Sequence, residues 1–399
     1  MEIKNSRPVL PAVLQSMFII ALGNLIDSSY APMAPFIKNF YVLTATQVGL
    51  VTSVIFIGSS CVSIFTGYFV DRIGYRNAMK LSFGIMAAGS LIVFKSPYYI
   101  TLLLGFYLIG FGYGVLTPAT NSHIMEEYSP EHLTRMGIKQ AGVPMGAAMA
   151  SIALPFIVLR AGVPYTYLVV SIFAIFVVLI LPYRKKHNSS KFNVREYISE
   201  MLKAGKSRNL LIIGFSALFL SWSQQSVMTY DVLYFQKIKF GTIIAESFLI
   251  TVLLSAIFGR ILWTRLGNII FRENHMATFS IIMFSTALVL LAFPHFSSYI
   301  YYAYIFSVLI GFTAISWNGV FVSIISEIAP PGRVGMFSGM GILIISLGTI
   351  IGTPISGLII DHYHSYDLMW TVMGLTILAV SIILFFISMK IKFSMPTGK

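Results

Sequence analysis

The stretch "GYFVDRIGYR", residues 67–76, is a short charged segment between two long apolar runs. The run before it covers residues 47–69, and the run after it covers residues 79–94. About 20 apolar residues in a helix are enough to cross the roughly 30 Å of hydrocarbon in a bilayer. The sequence therefore predicts two membrane-spanning helices joined by a tight charged turn.

Similar apolar runs recur along the whole chain. Hydrophobic residues make up 57% of the 399 residues, charged residues make up 10%, and the mean hydropathy is +0.83. This composition is typical of a multi-pass membrane protein. We predict an all-α membrane protein with twelve transmembrane helices, at residues 11–36, 47–69, 79–94, 100–123, 135–159, 164–183, 209–230, 241–263, 276–296, 299–326, 334–358 and 367–389.

The distribution of lysine and arginine predicts the orientation. An even number of spans places both termini on one side, and most basic residues lie in segments on that side. Because cytoplasmic loops carry an excess of Lys and Arg, both termini are expected in the cytoplasm. The same bias explains the net charge of +13, so we expect no nucleic-acid partner. The basic residues expected outside are Lys38, Lys95, Arg160, Lys237 and Lys239.

The longest polar segment, residues 184–209, divides the spans six and six. We predict an N-terminal six-helix half at 1–183, a cytoplasmic linker at 184–209 and a C-terminal six-helix half at 210–399. A short amphipathic helix around 194–202, lying on the inner membrane surface, is one interpretation of the linker. A solvated connector is the interpretation that we favour.

The two halves resemble each other. "LIGF" occurs at 108–111 and again at 309–312, and each copy leads into a similar turn, "EYSPEHLTRMG" at 127–137 and "EIAPPGRVGM" at 327–336. Repeated membrane halves place a solute site near the midplane between them. The repeat favours a transporter, although a receptor could reuse the same frame.

The charged turn carries a more specific resemblance. Gly67, Asp71, Arg72, Gly74 and Arg76 match the signature loop of the major facilitator superfamily, which this chain resembles over essentially its whole length. The resemblance extends to the span count, the six-plus-six division and the internal repeat. It implies two pseudo-symmetric halves and secondary active transport by alternating access.

The resemblance also implies a conformational latch. In that family the loop holds the outward-open state through the adjoining helix of the other half, a role that falls here to Asp71 and Arg72. The counterpart "GRILWTRLGN" at 259–268 has Thr264 where Asp71 aligns, so we expect a weaker latch there. The alternative is that these charges only mark a cytoplasmic turn. The complete predicted latch set is Gly67, Asp71, Arg72, Gly74, Arg76, Glu127, Arg135, Glu327 and Arg333.

Asp27 is the strongest candidate for proton coupling. It lies about sixteen residues into the first span, with Asn24 one turn earlier on the same face. An ionisable group inside the membrane is expensive and is a functional candidate by default. Burial favours the neutral form of a carboxyl group, which is what proton coupling requires. A structural, hydrogen-bonded aspartate is the alternative.

Lys139 has two interpretations. Its long stem could reach water at the cytoplasmic edge or Glu126 and Glu127, or it could line the inner half of the cavity with Gln140 and attract anions. The segment "GIKQAGVPMG", 137–146, resembles the fifth span of facilitator permeases for small anions and organic acids. It departs from the Gly-Pro-Gly-Gly signature of drug antiporters at Val143 and Met145. The segment therefore favours an organic or inorganic anion as substrate.

Two further charged residues are secondary candidates. Glu246 follows the outer N-terminus of span eight, where the helix dipole favours a carboxylate, so we favour a structural role. Arg260 lies near the inner end of the same span and can snorkel to the interface. Other polar residues are predicted to line a shared cavity: Tyr113, Thr117 and Asn121 on span four, Gln224 and Gln225 on span seven, and Trp317 and Asn318 on span ten.

The sequence offers little for catalysis. It lacks the full phosphate-binding pattern Gly-x-x-x-x-Gly-Lys-Ser/Thr, since Glu200 stands where the first glycine would precede Gly205-Lys206-Ser207. Cys61 is its single cysteine, and its histidines are scattered. We expect no enzyme activity, cofactor or metal, and we expect a monomer in the plasma or inner membrane. The expected partners are a small-molecule substrate, protons and lipid. A proton-driven exporter of lipophilic compounds and a sensor that binds solute without moving it are the alternatives.

Overall fold

The computed structural model describes residues 10–127, 139–181, 199, 201–270, 275–330 and 334–390, and this part of the chain is almost entirely helical. The helices of the N-terminal half are α1 (Leu10–Asp27), α2 (Tyr30–Tyr41), α3 (Ala45–Ile73), α4 (Tyr75–Phe94), α5 (Tyr99–Glu127) and α6 (Gly142–Ile180). Those of the C-terminal half are α7 (Arg208–Lys237), α8 (Thr242–Ile270), α9 (His275–Phe296), α10 (Ile300–Ile310), a π-helical segment (Gly311–Ile315), α11 (Asn318–Ile328), α12 (Val334–Tyr363) and α13 (Tyr366–Lys390).

Eleven helical stretches among the described residues are long and apolar enough to cross a membrane. The number differs from the twelve predicted because the fifth and sixth predicted spans both fall within α6, which has 39 residues. The backbone of α6 leaves the helical region at Gly162, with φ 80° and ψ 171°. Pro164 follows and has no N–H for a helical hydrogen bond. A straight helix of this length would measure about 58 Å, nearly twice the hydrocarbon thickness.

The first predicted span, 11–36, is not one continuous helix. Helix α1 ends at Asp27 and α2 begins at Tyr30. Pro32 has no N–H to donate to the carbonyl oxygen four residues earlier, so the helical ladder is interrupted there. Asp27 therefore lies at a helix end inside a membrane-spanning stretch. The sequence prediction had placed it within a continuous helix.

Glycines allow α6 to pack directly on α1. A Cβ atom on Gly142 would lie 2.3 Å from the carbonyl oxygen of Met17, and one on Gly146 would lie 2.1 Å from that of Ala21. Small residues permit such close backbone contact between membrane helices. Lys139 immediately precedes this contact, so the start of α6 is held against the N-terminal half.

The two halves meet at the outer end, by which we mean the end that carries the α2–α3 turn and that is expected to face away from the cytoplasm. The hydroxyl of Tyr230 on α7 lies 2.9 Å from the carbonyl oxygens of Ala45 on α3 and Thr353 on α12. Gly49 lies directly beneath this contact, because an added Cβ would come within 2.5 Å of the Thr353 carbonyl oxygen.

Asp361 on α12 extends the same contact. Its carboxylate accepts hydrogen bonds from the backbone N–H of Ala45 and of Thr46, both at 2.8 Å, and from the Thr46 hydroxyl at 2.6 Å. A negative charge is favoured at this helix N-terminus. We call these contacts the outer seam; its residues are Ala45, Thr46, Gly49, Tyr230, Thr353 and Asp361. The seam closes the outer side between α3 of one half and α7 and α12 of the other.

Candidate functional site

Polar side chains from both halves meet below the outer seam. The Asn24 side-chain amide on α1 donates to the Tyr113 hydroxyl on α5 at 3.2 Å, and Ser28 donates to the Asn24 Oδ1 atom at 3.0 Å. The Tyr113 hydroxyl also hydrogen-bonds to Thr117 and interacts electrostatically with Asp27. The structure therefore brings the broken end of α1 to the predicted polar stripe of α5.

Asp27 is half-buried, and its Oδ1 atom is buried without a hydrogen-bond partner. It is the last residue of α1, where the helix dipole favours a cation rather than a carboxylate. Neither helix geometry nor a complete set of hydrogen bonds explains its position. The Oδ1 atom can therefore accept a further hydrogen bond.

Lys139 is fully buried, with 0% exposure. Its ammonium nitrogen lies 2.5 Å from the Asn121 Oδ1 atom and 3.2 Å from the Thr120 hydroxyl oxygen, both on α5. The snorkelling interpretation is therefore wrong, because the side chain is directed to α5 and away from water. Both partners are neutral, and among the described residues no carboxylate forms an ion pair with Lys139.

Arg260 reaches across the boundary between the halves. Its guanidinium Nη1 donates to the backbone carbonyl oxygen of Gln140 at 3.3 Å, and it interacts electrostatically with Tyr113. Arg260 is half-buried, and its expected snorkelling to the inner interface stays a prediction. The Gln140 side chain is exposed. We call the whole group the central polar cluster; its members are Asn24, Asp27, Tyr113, Thr117, Thr120, Asn121, Lys139 and Arg260.

The C-terminal half contributes a second polar contact. Asn318 at the start of α11 donates its side-chain amide to the Gln224 Oε1 atom on α7 at 3.1 Å. The π-helical segment before α11 adds a residue to the turn, which changes the face that the following side chains present. Trp317 is buried with its indole N–H unpartnered, and Gln225 is half-buried beside Gln224 but outside this hydrogen bond.

The predicted latch is described only in part. Arg72 is exposed, and Gly74 has a φ of 81°, which glycine adopts readily between α3 and α4. Arg76 hydrogen-bonds to the Tyr75 hydroxyl, and Glu327 contacts His275 at the start of α9. The latch stays a prediction, because five of its members lie outside the described residues or side chains. They are Gly67, Asp71, Glu127, Arg135 and Arg333.

Sequence reasoning missed Asp231 on α7. Its side chain has 0% exposure, and neither carboxyl oxygen has a hydrogen-bond partner. Glu246 on α8 is 3% exposed, also lacks partners for both oxygens, and interacts electrostatically with Asp231. The structural role expected for Glu246 stays a prediction, and the structure shows that its side chain is buried and makes no hydrogen bond to the start of its helix. The available signal was the shared face of Gln224 and Asp231, seven residues apart.

Many apolar helices packed around polar side chains, with a seam between N-terminal and C-terminal helices, agree with the family that the charged turn resembles. The model of the Major Facilitator Superfamily matches residues 16–341 and 247–397. This chain belongs to the major facilitator superfamily. The family and the many apolar helices identify a multi-pass membrane transporter and indicate that it is not an enzyme.

Solved structures of facilitator proteins share the fold. A bacterial homologue of the human lysosomal transporter Spinster, in an inward-facing and occupied conformation, superposes with a TM-score of 0.77 at 16% identity, over 96% of this chain and 98% of that one. The nucleoside transporter NupG gives a TM-score of 0.73 at 14% identity, over 95% and 99% of the two chains. At these identities the likeness concerns the fold alone.

Two curated relatives match in sequence. The hexuronate transporter of Bacillus subtilis (strain 168) is 28% identical over 147 residues, which cover 36% of this chain and 35% of that protein. The fosmidomycin resistance protein of Escherichia coli (strain K12) is 24% identical over 352 residues, which cover 86% and 84% of the two chains. The first match thus spans about a third of the relative, and the second most of it.

Proposed function

We propose that this facilitator is a secondary active transporter that moves a small organic or inorganic anion by alternating access, coupled to protons. The observation that carries the proposal is the burial of Lys139, whose partners among the described residues, Asn121 and Thr120, are both neutral. A buried charge without a counter-charge is costly, so an anionic ligand in reach of the ammonium group stabilises the site.

Arg260 supports the proposal from the other half. It belongs to the C-terminal half, yet it contacts the Gln140 backbone directly beside Lys139. An anion between the two side chains would be bound by one cation from each half. Such a ligand would draw the halves together, as rocking around a central site requires. The hexuronate transporter, whose name refers to an anionic sugar acid, agrees with this substrate class.

Asp27 is the proposed proton carrier. It interacts electrostatically with Tyr113, which also interacts with Arg260, so the carboxyl group and the proposed anion site share one cluster. Because like charges repel, the anion binds better when Asp27 carries a proton. This dependence favours movement of the proton and the anion in the same direction.

The outer seam fits one half of an alternating-access cycle. With the seam closed, exchange of solute takes place on the inner side. Counting the two parts of α6 around Gly162 as separate crossings would bring the eleven candidate spans to twelve. The excess of lysine and arginine in the segments on one side supports cytoplasmic termini. Opening outward requires Asp361 and Tyr230 to release the start of α3.

Export of lipophilic compounds is the second candidate. The fosmidomycin resistance protein, named for resistance to a drug, aligns with 86% of this chain, and this breadth favours the candidate. The third candidate function is that of a sensor, which binds solute without moving it across the membrane.

Uptake into proteoliposomes separates these functions. The purified protein is reconstituted and offered radiolabelled anions, including a hexuronate and inorganic phosphate, and a lipophilic cation, with and without a pH gradient. Accumulation of an anion driven by the gradient supports the proposal. Gradient-driven movement of the cation alone supports the exporter, and binding without flux supports the sensor.

A further inference from the structure

The buried carboxyl pair of Asp231 and Glu246 has no role in the mechanism above. Asp231 lies six residues before the outer end of α7, about 9 Å by helical rise, and Glu246 lies four residues after the outer start of α8. Both side chains are at least nine-tenths buried, and none of their four oxygens has a hydrogen-bond partner. They are close enough to interact electrostatically.

The surroundings supply no compensating charge. Among the described residues, no lysine, arginine or histidine forms an ion pair with either carboxyl group. Tyr234, one turn after Asp231 on α7, also interacts with Asp231, and Asp367 at the start of α13 reaches the same place through Tyr234. These neighbours are neutral or negative, so they cannot hold two ionised carboxylates in a buried site.

We propose that Asp231 and Glu246 form a second proton-binding site, distinct from Asp27, in which at least one of the two carboxyl groups carries a proton. One proton removes one of the two buried charges, which the surroundings do not compensate. The site exists whichever solute is carried, and only its use in coupling rests on the proposed function.

The pair is placed where it can exchange its proton with the pathway. Gln224 and Met228, on the same face of α7 as Asp231, are half-buried, and full burial begins at Asp231. Asp231 also directly follows Tyr230, whose hydroxyl belongs to the outer seam. When the seam opens, this turn of α7 moves away from α3, and the pair becomes accessible from the outer side.

Infrared difference spectroscopy of the purified protein tests the site, because a protonated carboxyl group has a C=O stretch that a carboxylate lacks. The experiment uses the Asp27→Asn background, which removes the other proposed proton carrier, and needs no solute. We expect a protonated-carboxyl band at neutral pH that disappears in alkaline buffer. Adding Asp231→Asn together with Glu246→Gln should abolish the band. Adding Glu327→Gln, which changes an exposed glutamate at the inner end of α11, should leave it unchanged.

Three results would overturn the proposal. In the first, the band survives in the protein that carries both Asp231→Asn and Glu246→Gln. In the second, the Asp27→Asn protein shows no band. In the third, sodium chloride converts the band into a carboxylate signal. The last would make the pair a sodium site. If the double substitution prevents folding, Asp231→Asn and Glu246→Gln are added singly to the Asp27→Asn background, and a band that neither substitution changes overturns the proposal. Failure of anion transport leaves all these outcomes unaffected.

Discussion

The carboxylate of Asp361 accepts two hydrogen bonds from Thr46, one from its backbone N–H at 2.8 Å and one from its hydroxyl at 2.6 Å. The two residues belong to opposite halves of the transporter. This contact therefore ties the start of α3 to the end of α12 and holds the outer side closed. It also places a negative charge at the N-terminus of α3, where the helix dipole stabilises it.

Asp361→Asn should weaken the outer seam. The amide keeps the shape but loses the charge, and a hydrogen bond to a charged group is about 1 kcal/mol stronger than a neutral one. We expect about a fivefold shift toward the outward-open state. Distances between spin labels at Tyr98 and Tyr301, both exposed on the outer side, measure it. Asp367→Asn serves as the control, and equal distributions for the two variants would contradict the prediction.

Gly357→Ala should open the same seam by steric conflict. An added Cβ would lie 2.5 Å from the Ala45 carbonyl oxygen, which belongs to backbone and has little freedom to move. The same pair of labels should report a larger separation than in the wild type. Gly84→Ala is the matched control, since nothing lies within 4 Å of a Cβ at Gly84. A closed outer side in Gly357→Ala would show that the seam tolerates the methyl group.

Gly146→Ala should destabilise the N-terminal half. The new Cβ would lie 2.1 Å from the Ala21 carbonyl oxygen, so α1 and α6 must separate. Overpacking of this kind typically costs about 1–3 kcal/mol. Thermal unfolding in detergent should show a lower midpoint for Gly146→Ala than for Gly84→Ala. Equal midpoints would mean that the two helices are not in such close contact.

Asp27→Asn should separate accumulation from exchange. Without the Asp27 carboxyl group, the central polar cluster lacks its proposed proton carrier, while the anion site of Lys139 is intact. We expect loss of gradient-driven accumulation and retention of anion exchange across proteoliposomes. Asp367→Asn should retain both activities. Accumulation that persists in Asp27→Asn would remove Asp27 from the proton pathway.

Much of the fold could be predicted from the sequence because apolar runs and basic loops follow directly from the bilayer. Hydropathy alone could not show that α1 ends at Asp27, although Pro32 and Pro35 signalled an interruption. Hydropathy placed a break at 160–163 but could not show that helical structure continues to a single non-helical residue, Gly162, because hydropathy does not report backbone conformation.

Polar contacts were harder to predict than spans. Spacing placed Tyr113 and Asn121 on one stripe, but the direction of the Lys139 side chain depends on how closely α6 approaches α1 and α5. Asp231 and Glu246 come together only through the packing of α7 against α8. Asp361 was passed over because an acidic residue beside an outer loop has no distinctive local pattern.

Binding of an anion at Lys139 is the central claim, and ligand-dependent thermal stabilisation tests it most directly. A ligand that binds only the folded state at a hundred times its Kd adds about 2.7 kcal/mol to the free energy of unfolding. The wild type, Lys139→Met and the control Lys95→Met, which changes an exposed lysine, are heated with a hexuronate, inorganic phosphate or a lipophilic cation. We predict that an anion raises the unfolding midpoint of the wild type and of Lys95→Met but not that of Lys139→Met. Equal stabilisation of all three proteins, or stabilisation by the lipophilic cation alone, would contradict the claim.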